Sequence, residues 1–154
     1  MKTILKRRKQ GKTDYKARIN LLKSNLPRLV VRRSNRYIIG QHVKSEEARD
    51  KVIDGVSSKS LLKYGWNKEK SGSLKSKPAA YLTGFLLGKK ILDKEENAKV
   101  IIDIGLRRSI AKSRNYAFVK GIKDAGIKIN IKEEMLPKVE IEEKIKKAIE
   151  ASFL

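Results

Sequence analysis

The sequence contains no cysteine and a single histidine, His42, and these two shortages remove several kinds of chemistry. Without cysteine there can be no disulfide bond, no thiolate zinc site and no cysteine nucleophile. With one histidine, a metal site built from several imidazoles is impossible, and a histidine-dependent triad has one candidate base. The sequence therefore offers little for nucleophilic or metal-dependent catalysis, and we expect no cofactor.

Acidic residues and long apolar runs are also scarce. The chain has 17 Asp and Glu against 38 Lys and Arg, which leaves a formal charge of +21. No apolar run approaches the ~18 residues that a membrane span needs, and residues 1–12 lack the apolar segment of a signal peptide. Nothing indicates a lipid anchor or a basic amphipathic helix. We therefore expect a cytoplasmic protein with no membrane partner.

The positive charge is concentrated towards the N-terminus. Residues 1–36 hold thirteen Lys or Arg and one acid, Asp14, whereas residues 130–154 hold five basic and six acidic residues. Because such an excess destabilises the free protein by self-repulsion, its simplest explanation is a polyanionic partner. The chain is predicted to have three parts: a basic arm with a short helix (1–26), an α/β core (27–131) and a C-terminal extension (132–154).

Residues 27–43, PRLVVRRSNRYIIGQHV, are predicted to form the first β-hairpin of the core. Two apolar β-runs flank a polar cluster, residues 32–36, whose serine and asparagine suit a turn because their short side chains bond to nearby backbone. The tip of this hairpin would carry three arginines. Residues 44–50 are interpreted as a linker, and residues 51–56 as a third strand that completes an antiparallel meander.

The middle of the chain is predicted to contain a long loop and a buried helix. Residues 57–77 are rich in Ser, Lys and Gly and are interpreted as a loop with one helical turn. Pro78 suits the first turn of a helix that would run to about Leu92. Gly84 and Gly88 lie four residues apart on it, so one face would let a neighbouring backbone come close.

The second half of the core continues the α/β pattern. Residues 100–104, VIIDI, predict a central strand covered on both faces. A helix over residues 114–125 follows, with Ser113 as its N-cap and Gly126 as its stop. Residues 127–131 predict a last short strand, and apolar residues at every fourth position beyond them predict an amphipathic helix. The order β-β-β-α-β-α-β, followed by α, indicates a three-layer, ribonuclease-H-like α/β fold.

A metal-dependent nuclease is the enzyme alternative, because folds of this kind often hold two metal ions on carboxylates. The candidates are Asp54, Asp93 and Asp103. Such a site needs several convergent carboxylates, whereas the first strand offers arginines. Asp103 is therefore interpreted as a capping or ion-pairing residue. Since no glycine-rich phosphate loop follows a strand either, we expect no catalytic site and no metal site.

Nucleic-acid binding accounts for the composition better. Lys and Arg neutralise phosphates, and Arg also stacks on bases and forms paired hydrogen bonds with phosphate. Tyr37 could stack on a base or pack within its strand, and Trp66 could stack or anchor its own loop. His42 is interpreted as an edge or RNA-contacting residue. Since no helix-turn-helix pattern is present, RNA is favoured over DNA, and a generic RNA chaperone remains an alternative.

Six segments resemble one family, in the same order along the chain: GKTDYKAR (11–18), PRLVVRRSNRYIIGQ (27–41), SSKSLLKYGW (57–66), PAAYLTGFLLGKK (78–90), DIGLRRS (103–109) and DAGIKI (124–129). Together they resemble the universal large-subunit ribosomal protein eighteen family, the 5S rRNA-binding proteins, in its archaeal form. The resemblance implies an α/β core with a basic arm that enters rRNA. It implies 5S rRNA, large-subunit rRNA and neighbouring large-subunit ribosomal proteins as partners at the central protuberance, and we expect no homo-oligomer.

Matched residue by residue, the resemblance implies rRNA contacts from the arm, the hairpin and the loop after the buried strand. These residues are Lys12, Thr13, Tyr15 and Arg18; Arg32, Ser34, Asn35, Arg36 and Gln41; and Arg107, Arg108, Ser109, Ser113 and Arg114. Charge and position add Lys6, Arg7, Arg8, Lys9, Arg28, Arg33, Tyr37, His42, Ser57, Ser58, Trp66 and Lys112. The three basic surfaces must converge on one RNA. The chain departs from the family pattern in the acidic residues 44–50 and in Asp54-Gly55.

Overall fold

The computed structural model describes residues 5–47, 49–95, 98–140 and 143–153. The α-helices in these residues are α1 (Lys6–Lys9), α2 (Tyr15–Leu22), α3 (Lys77–Leu92), α4 (Arg114–Ala125) and α5 (Glu143–Ala151). The strands are β1 (Arg28–Arg33), β2 (Ile38–Glu46), β3 (Arg49–Ser57) and β4 (Ile101–Asp103). Short 3-10 helices span Ser58–Tyr64, Lys68–Ser73 and Glu133–Met135.

The four strands form one mixed sheet in the order β3-β2-β1-β4. β2 pairs antiparallel with both β1 and β3, whereas β1 and β4 are parallel. The predicted hairpin over residues 27–43 is confirmed, and Ser34 closes its turn by donating its backbone N–H to the Tyr37 carbonyl at 2.9 Å. The mixed sheet and its helices confirm the predicted three-layer α/β class.

Residues 44–47, 49 and 50 belong to the paired end of a second hairpin, not to the predicted linker, and residue 48 lies outside the described residues. Ser45 pairs with Asp50 and Glu46 pairs with Arg49 across β2 and β3, and Glu47 in the turn has a positive φ of 48°. β3 is an edge strand, where charged side chains remain in water and discourage pairing with other chains. Charge in this segment therefore reflects its edge position and does not interrupt the strands.

β4 lies at the other edge of the sheet, whereas its sequence predicts a central strand. Ile101 and Ile102 are only half-buried. The predicted strand over residues 127–131 reduces to one parallel bridge, between Lys99 and Lys128. Apolar β-branched residues favour a strand, but they do not reveal its place in the strand order, so the sequence could not distinguish an edge strand from a central one.

The helical turn predicted within residues 57–77 is confirmed as the 3-10 helix Ser58–Tyr64, whereas the loop predicted after it contains a second 3-10 helix, Lys68–Ser73. The two 3-10 helices in this segment are held by buried side chains, namely Leu61, Trp66 and Leu74, each at most 5% exposed. Ser57 caps the first of these helices, since its Oγ accepts the N–H of Lys59 at 3.4 Å. Because the segment is mostly polar, its three buried apolar residues did not indicate a folded segment in the sequence.

Helices α3 and α4 pack in direct backbone contact. A Cβ built on Gly84 would lie 2.0 Å from the Phe118 carbonyl oxygen, and one built on Gly121 would lie 2.0 Å from the Tyr81 carbonyl oxygen. Since no real side chain tolerates such distances, each helix must present a glycine to the backbone of the other. The close approach predicted at Gly84 is confirmed, and Gly121 supplies its reciprocal position.

The helix boundaries largely follow their predicted signals. Pro78 lies in the first turn of α3, and the Oγ of Ser76 accepts the N–H of Ala79 at 3.3 Å. The amphipathic α5 is confirmed, because Ile145 and Ile149 are buried and the helix packs on α3 and the first 3-10 helix. The preceding residue of its predicted pattern, at position 141, lies outside the described residues.

Replacing Gly84 by alanine is expected to lower the free energy of unfolding by about 2–3 kcal/mol, since overpacking against a carbonyl oxygen forces the helices apart. Urea denaturation followed by circular dichroism measures the change. Gly72→Ala is the matched control, because nothing lies within 4 Å of a Cβ built there. Equal stability of the two variants would contradict the close contact between α3 and α4.

Candidate nucleic-acid interface

The basic arm leads into α2, and Asp14 starts this helix. The Asp14 carboxylate accepts the backbone N–H groups of Lys16 and Ala17 at 3.0 and 3.1 Å, which is the usual N-cap arrangement. Arg7 Nε donates to Thr13 Oγ1 at 3.0 Å and so ties α1 to the turn before α2. The exposed cationic side chains ahead of α2 are those of Lys6, Arg7, Arg8, Lys9 and Lys12.

The hairpin tip exposes a polar and cationic surface. Ser34, Asn35 and Arg36 are exposed, and Arg33 is half-buried. The Oγ of Ser34 accepts the N–H of Tyr37 at 2.9 Å, so its hydroxyl helps to close the turn. The Tyr37 ring is partly buried against the core, which agrees with packing, one of the two roles considered for it, and leaves base stacking untested.

The loop after β4 forms the third basic segment, and two left-handed residues shape it, Gly105 with φ 64° and Lys112 with φ 56°. The Lys112 N–H donates to the Met135 carbonyl at 2.9 Å, and the hydroxyls of Ser109 and Tyr116 are hydrogen-bonded. The side chains of Arg107, Arg108, Ser109 and Lys112 are exposed, and Ser113 and Arg114 are half-buried. Ser113 lies at the predicted N-cap position, although its side chain makes no capping hydrogen bond.

These three basic segments line one cleft of about 970 Å³. Its cationic side chains on the surface are Arg7, Lys12 and Arg18 from the arm and α2, Arg32 and Arg33 from β1, and Arg107 from the loop. A concave surface lined by one sign of charge raises the local concentration of oppositely charged ligands. Each of the three basic segments therefore contributes cations to one cleft, although residues 34–36 of the hairpin tip and residues 108–114 of the loop do not line it, and convergence on one RNA stays a prediction.

Five charged side chains of alternating sign form a continuous row along this cleft, Arg18–Asp50–Arg28–Asp103–Arg32. Arg18 and Arg28 each donate to the Asp50 carboxylate, at 2.8 and 2.7 Å. Arg28 and Arg32 each donate to the Asp103 carboxylate, at 3.1 and 3.2 Å. This charged row joins α2, β3, β1 and β4.

Each aspartate of the charged row receives further hydrogen bonds. Ser45 Oγ donates to Asp50 at 2.6 Å, and the Gly105 N–H donates to Asp103 at 2.8 Å. Partial burial raises the pKa of the Asp50 carboxyl, but the hydrogen bonds from Ser45 and Arg28 and the charges of Arg28 and Arg18 outweigh it and hold that pKa below its ordinary value. The ion-pairing role predicted for Asp103 is confirmed.

Sequence reasoning missed Asp50 and Ser45, because it assigned both to a linker. Their signal was available in the spacing, since two polar residues that face each other across a tight hairpin share one face of the sheet. What the sequence could not supply is the arginine partner. Arg28 is 22 residues away from Asp50 and reaches it only because β2 lies between β1 and β3.

Four candidate RNA-binding residues lie inside the protein, contrary to expectation: Arg28, His42, Ser58 and Trp66, each at most 5% exposed. Arg28 is the centre of the charged row. The Oγ of Ser58 accepts the Ile38 N–H at 3.1 Å, and Trp66 belongs to the hydrophobic core. The surface that RNA can reach in this structure therefore leaves these four side chains out.

His42 lies on the helix-covered face of the sheet and is 1% exposed. Among the described residues neither of its ring nitrogens has a hydrogen-bond partner. Burial lowers the pKa of His42 below its ordinary value of 6.5, and the positive charge of Lys94 acts in the same direction. The charges of Glu95 and Asp54 oppose this effect without reversing it. The imidazole is therefore buried in its neutral form.

The carboxylates proposed for a metal-dependent nuclease do not converge. Asp54 lies on β3 and Asp103 on β4, at opposite edges of the sheet, so their strands are about 14 Å apart at the usual spacing. Asp54 instead binds Lys94 at 2.6 Å, and Asp103 binds two arginines.

Within the described ranges, none of the helices is long and apolar enough to cross a membrane.

Comparison with known proteins gives the class of the molecule. The family model described as "Ribosomal large subunit proteins 60S L5, and 50S L18" matches residues 1–100. This match covers more than half of the chain and includes the arm, the first hairpin and α3. The chain therefore belongs to this family of large ribosomal subunit proteins, which confirms the predicted class of a non-enzymatic, cytoplasmic ribosomal protein.

Individual relatives agree with this assignment. The chain is 46% identical over 136 residues to large ribosomal subunit protein uL18 of Korarchaeum cryptofilum, covering 88% of this chain and 67% of the relative. It is 46% identical over 133 residues to the uL18 of Thermofilum pendens, covering 86% and 65% of the two chains. With the uL18 of Methanoculleus marisnigri it shares 42% identity over 148 residues, covering 96% and 80%. The chain thus spans about two thirds of the first two relatives.

The buried neutral His42 is expected to make stability depend on pH. Since its pKa in the folded protein lies below 6.5, the unfolded chain binds the extra proton first, and the free energy of unfolding falls as pH drops below 6.5. The loss is at most about 1.4 kcal/mol for each pH unit. Urea denaturation at pH 7.5 and 5.5 measures it.

His42→Leu is the control for this prediction, because His42 is the only histidine and Leu cannot titrate. The variant should lose much less stability between pH 7.5 and 5.5 than the parent does. An equal loss in both proteins would show that other groups cause the pH dependence.

Proposed function

We propose that this protein binds folded 5S rRNA and holds it against large-subunit rRNA at the central protuberance, beside neighbouring large-subunit ribosomal proteins. One observation carries the proposal: the arm, the hairpin and the loop after β4 bring their cations to a single cleft. Membership of a large ribosomal subunit family supports the setting. Three of the six motifs that resemble the 5S rRNA-binding family, residues 11–18, 27–41 and 103–109, lie in these three segments.

The cleft is suited to an RNA backbone because its cations are mostly arginines. A guanidinium can donate two parallel hydrogen bonds to a phosphate and can stack on an exposed base, whereas a lysine acts as a point charge. Exposed apolar side chains accompany the arginines of the loop, with Leu106 at 56% and Ile110 at 60% exposure. Such residues can contact unpaired bases or a neighbouring protein, so the loop offers more than charge.

The residues proposed to contact RNA are the exposed and half-buried candidates. They are Lys6, Arg7, Arg8, Lys9, Lys12, Thr13, Tyr15 and Arg18 in the arm and α2; Arg32, Arg33, Ser34, Asn35, Arg36, Tyr37, Gln41 and Ser57 around the hairpin; and Arg107, Arg108, Ser109, Lys112, Ser113 and Arg114 in the loop and at the start of α4. The protein would act as a monomer, with the RNA as its main partner.

Replacing Arg33, Arg36 and Arg107 by alanine is expected to weaken binding of folded 5S rRNA by about 10- to 100-fold, since charge-assisted contacts to phosphate are lost. None of these three arginines belongs to the charged row, so the fold should persist. The matched control replaces Lys63, Lys144 and Lys147, which are exposed, do not line the cleft and carry the same total charge. Fluorescence anisotropy in magnesium buffer measures both.

Specificity is tested in the same assay with transfer RNA and with duplex DNA of equal length. The proposal expects 5S rRNA to bind much more tightly than either competitor, together with a steep loss of affinity as salt rises. Equal affinity for all three nucleic acids would support the generic RNA chaperone and refute the specific proposal. Equal effects of the arginine and lysine triples would show that RNA binds neither to the cleft, which Arg33 and Arg107 line, nor to the hairpin tip at Arg36.

A further inference from the structure

We infer that Asp50 is a positioning residue for RNA binding, which clamps α2 onto the sheet, holds Arg18 directly in the cleft and is linked to Arg32 only through Arg28 and Asp103. The inference rests on the proposed function, since it concerns how that RNA site is preformed. Asp50 itself touches no RNA in this scheme. It acts through the charged row, of which Arg18 and Arg32 are the two ends.

A carboxylate beside a phosphate-binding cleft is unfavourable for RNA unless it has another role. Like charges repel, so Asp50 reduces the attraction of the cleft for a polyanion. The chain has few acids, yet Asp50 lies within 3 Å of two arginines. The arginine partners of Asp50 indicate its role: Arg18 lies on α2, and Arg28 is buried beneath the cleft.

The ends of the charged row keep capacity for a ligand, whereas its centre does not. The side chains of Arg18 and Arg32 are 38% and 47% exposed, and that of Arg28 is 3% exposed. Among the described contacts, Arg18 donates only from Nη2, to Asp50, which leaves its Nε and Nη1 donors for phosphate. Arg28 donates to both aspartates and to Ser45, so it serves as a fixed bridge.

Fixing these arginines in advance should increase affinity. A free arginine side chain loses rotamer freedom when it binds a phosphate, and a side chain already held by an ion pair loses less. The clamp also holds α2, and with it the arm, against the sheet. Without Asp50 the arm would have to be ordered by the RNA itself, which costs affinity.

The Asp50→Asn variant distinguishes a positioning role from simple charge repulsion, because the two predict opposite changes in the affinity for RNA. Removing a negative charge raises the net charge and should by itself tighten RNA binding. Glu46→Gln makes the same charge change on the same hairpin, at a residue that is exposed and pairs only with Lys44 among the described residues. We expect Asp50→Asn to weaken binding of 5S rRNA by about tenfold, while Glu46→Gln leaves it unchanged or tighter.

Ser45→Ala is a second variant that keeps every charge and removes two hydrogen bonds within the charged row, the one that Ser45 donates to Asp50 and the one that it accepts from Arg28. It should weaken binding by about threefold, in the same direction as Asp50→Asn. If both variants bind as tightly as the parent, the inference is overturned. A further comparison uses Arg18→Gln, in whose background Asp50→Asn should cost much less, since the clamp on α2 is already lost.

Hydrogen exchange in the free protein tests the clamp without any RNA. Asp50→Asn should speed exchange of the α2 amides, and Glu46→Gln should not. Faster exchange in α2 together with unselective RNA binding would refute the proposed function and leave the clamp intact. Unchanged exchange, with RNA binding still selective for 5S rRNA, would overturn the positioning role alone.

Discussion

The chain has 17 acidic and 38 basic side chains, and two of the acidic side chains determine how the arginines of the candidate RNA-binding face are arranged. Asp50 and Asp103 alternate with Arg18, Arg28 and Arg32 in the charged row. Without these carboxylates, three guanidinium groups would repel one another, and Arg28 would be a buried, unpaired charge, which is costly. The row therefore makes it possible to gather so many cations on one side of the molecule.

The two faces of β1 carry different kinds of side chain: one face contributes apolar residues to the core, and the other contributes arginines to the candidate RNA-binding site. Leu29 and Val31 point to the helix-covered face and are at most 2% exposed, whereas Arg28 and Arg32 alternate with them and bind Asp103 on the other face. On the covered side, glycines let α3 and α4 touch backbone to backbone. On the other side, Arg18 of α2 pairs with Asp50 of β3, and residues of α2 and β1 line the cleft.

Prediction from sequence succeeded where the signal is local. The hairpin over residues 27–43, the proline-started α3, the glycine-stopped α4 and the amphipathic α5 each depend on neighbouring residues or on a repeat of a few residues. It failed for residues 44–50, which belong to a paired hairpin, and for the second 3-10 helix, Lys68–Ser73, because charged and small side chains in these segments suggested a linker and a loop. It also placed β4 at the centre, because burial is visible in composition and strand order is not.

For the candidate site, too, some features follow from the sequence and others only from the tertiary structure. The sequence by itself determined which residue types are available: a basic arm, an arginine-rich hairpin tip and a basic loop, with no cysteine and one histidine to support catalysis. Only the tertiary structure decided which of these residues face one cleft, and which, like His42, Ser58 and Trp66, are buried. Only it revealed the partners of Asp50. The physical reason is distance along the chain: ion pairs between residues 22 to 75 positions apart arise from strand order and register, which local preferences do not encode.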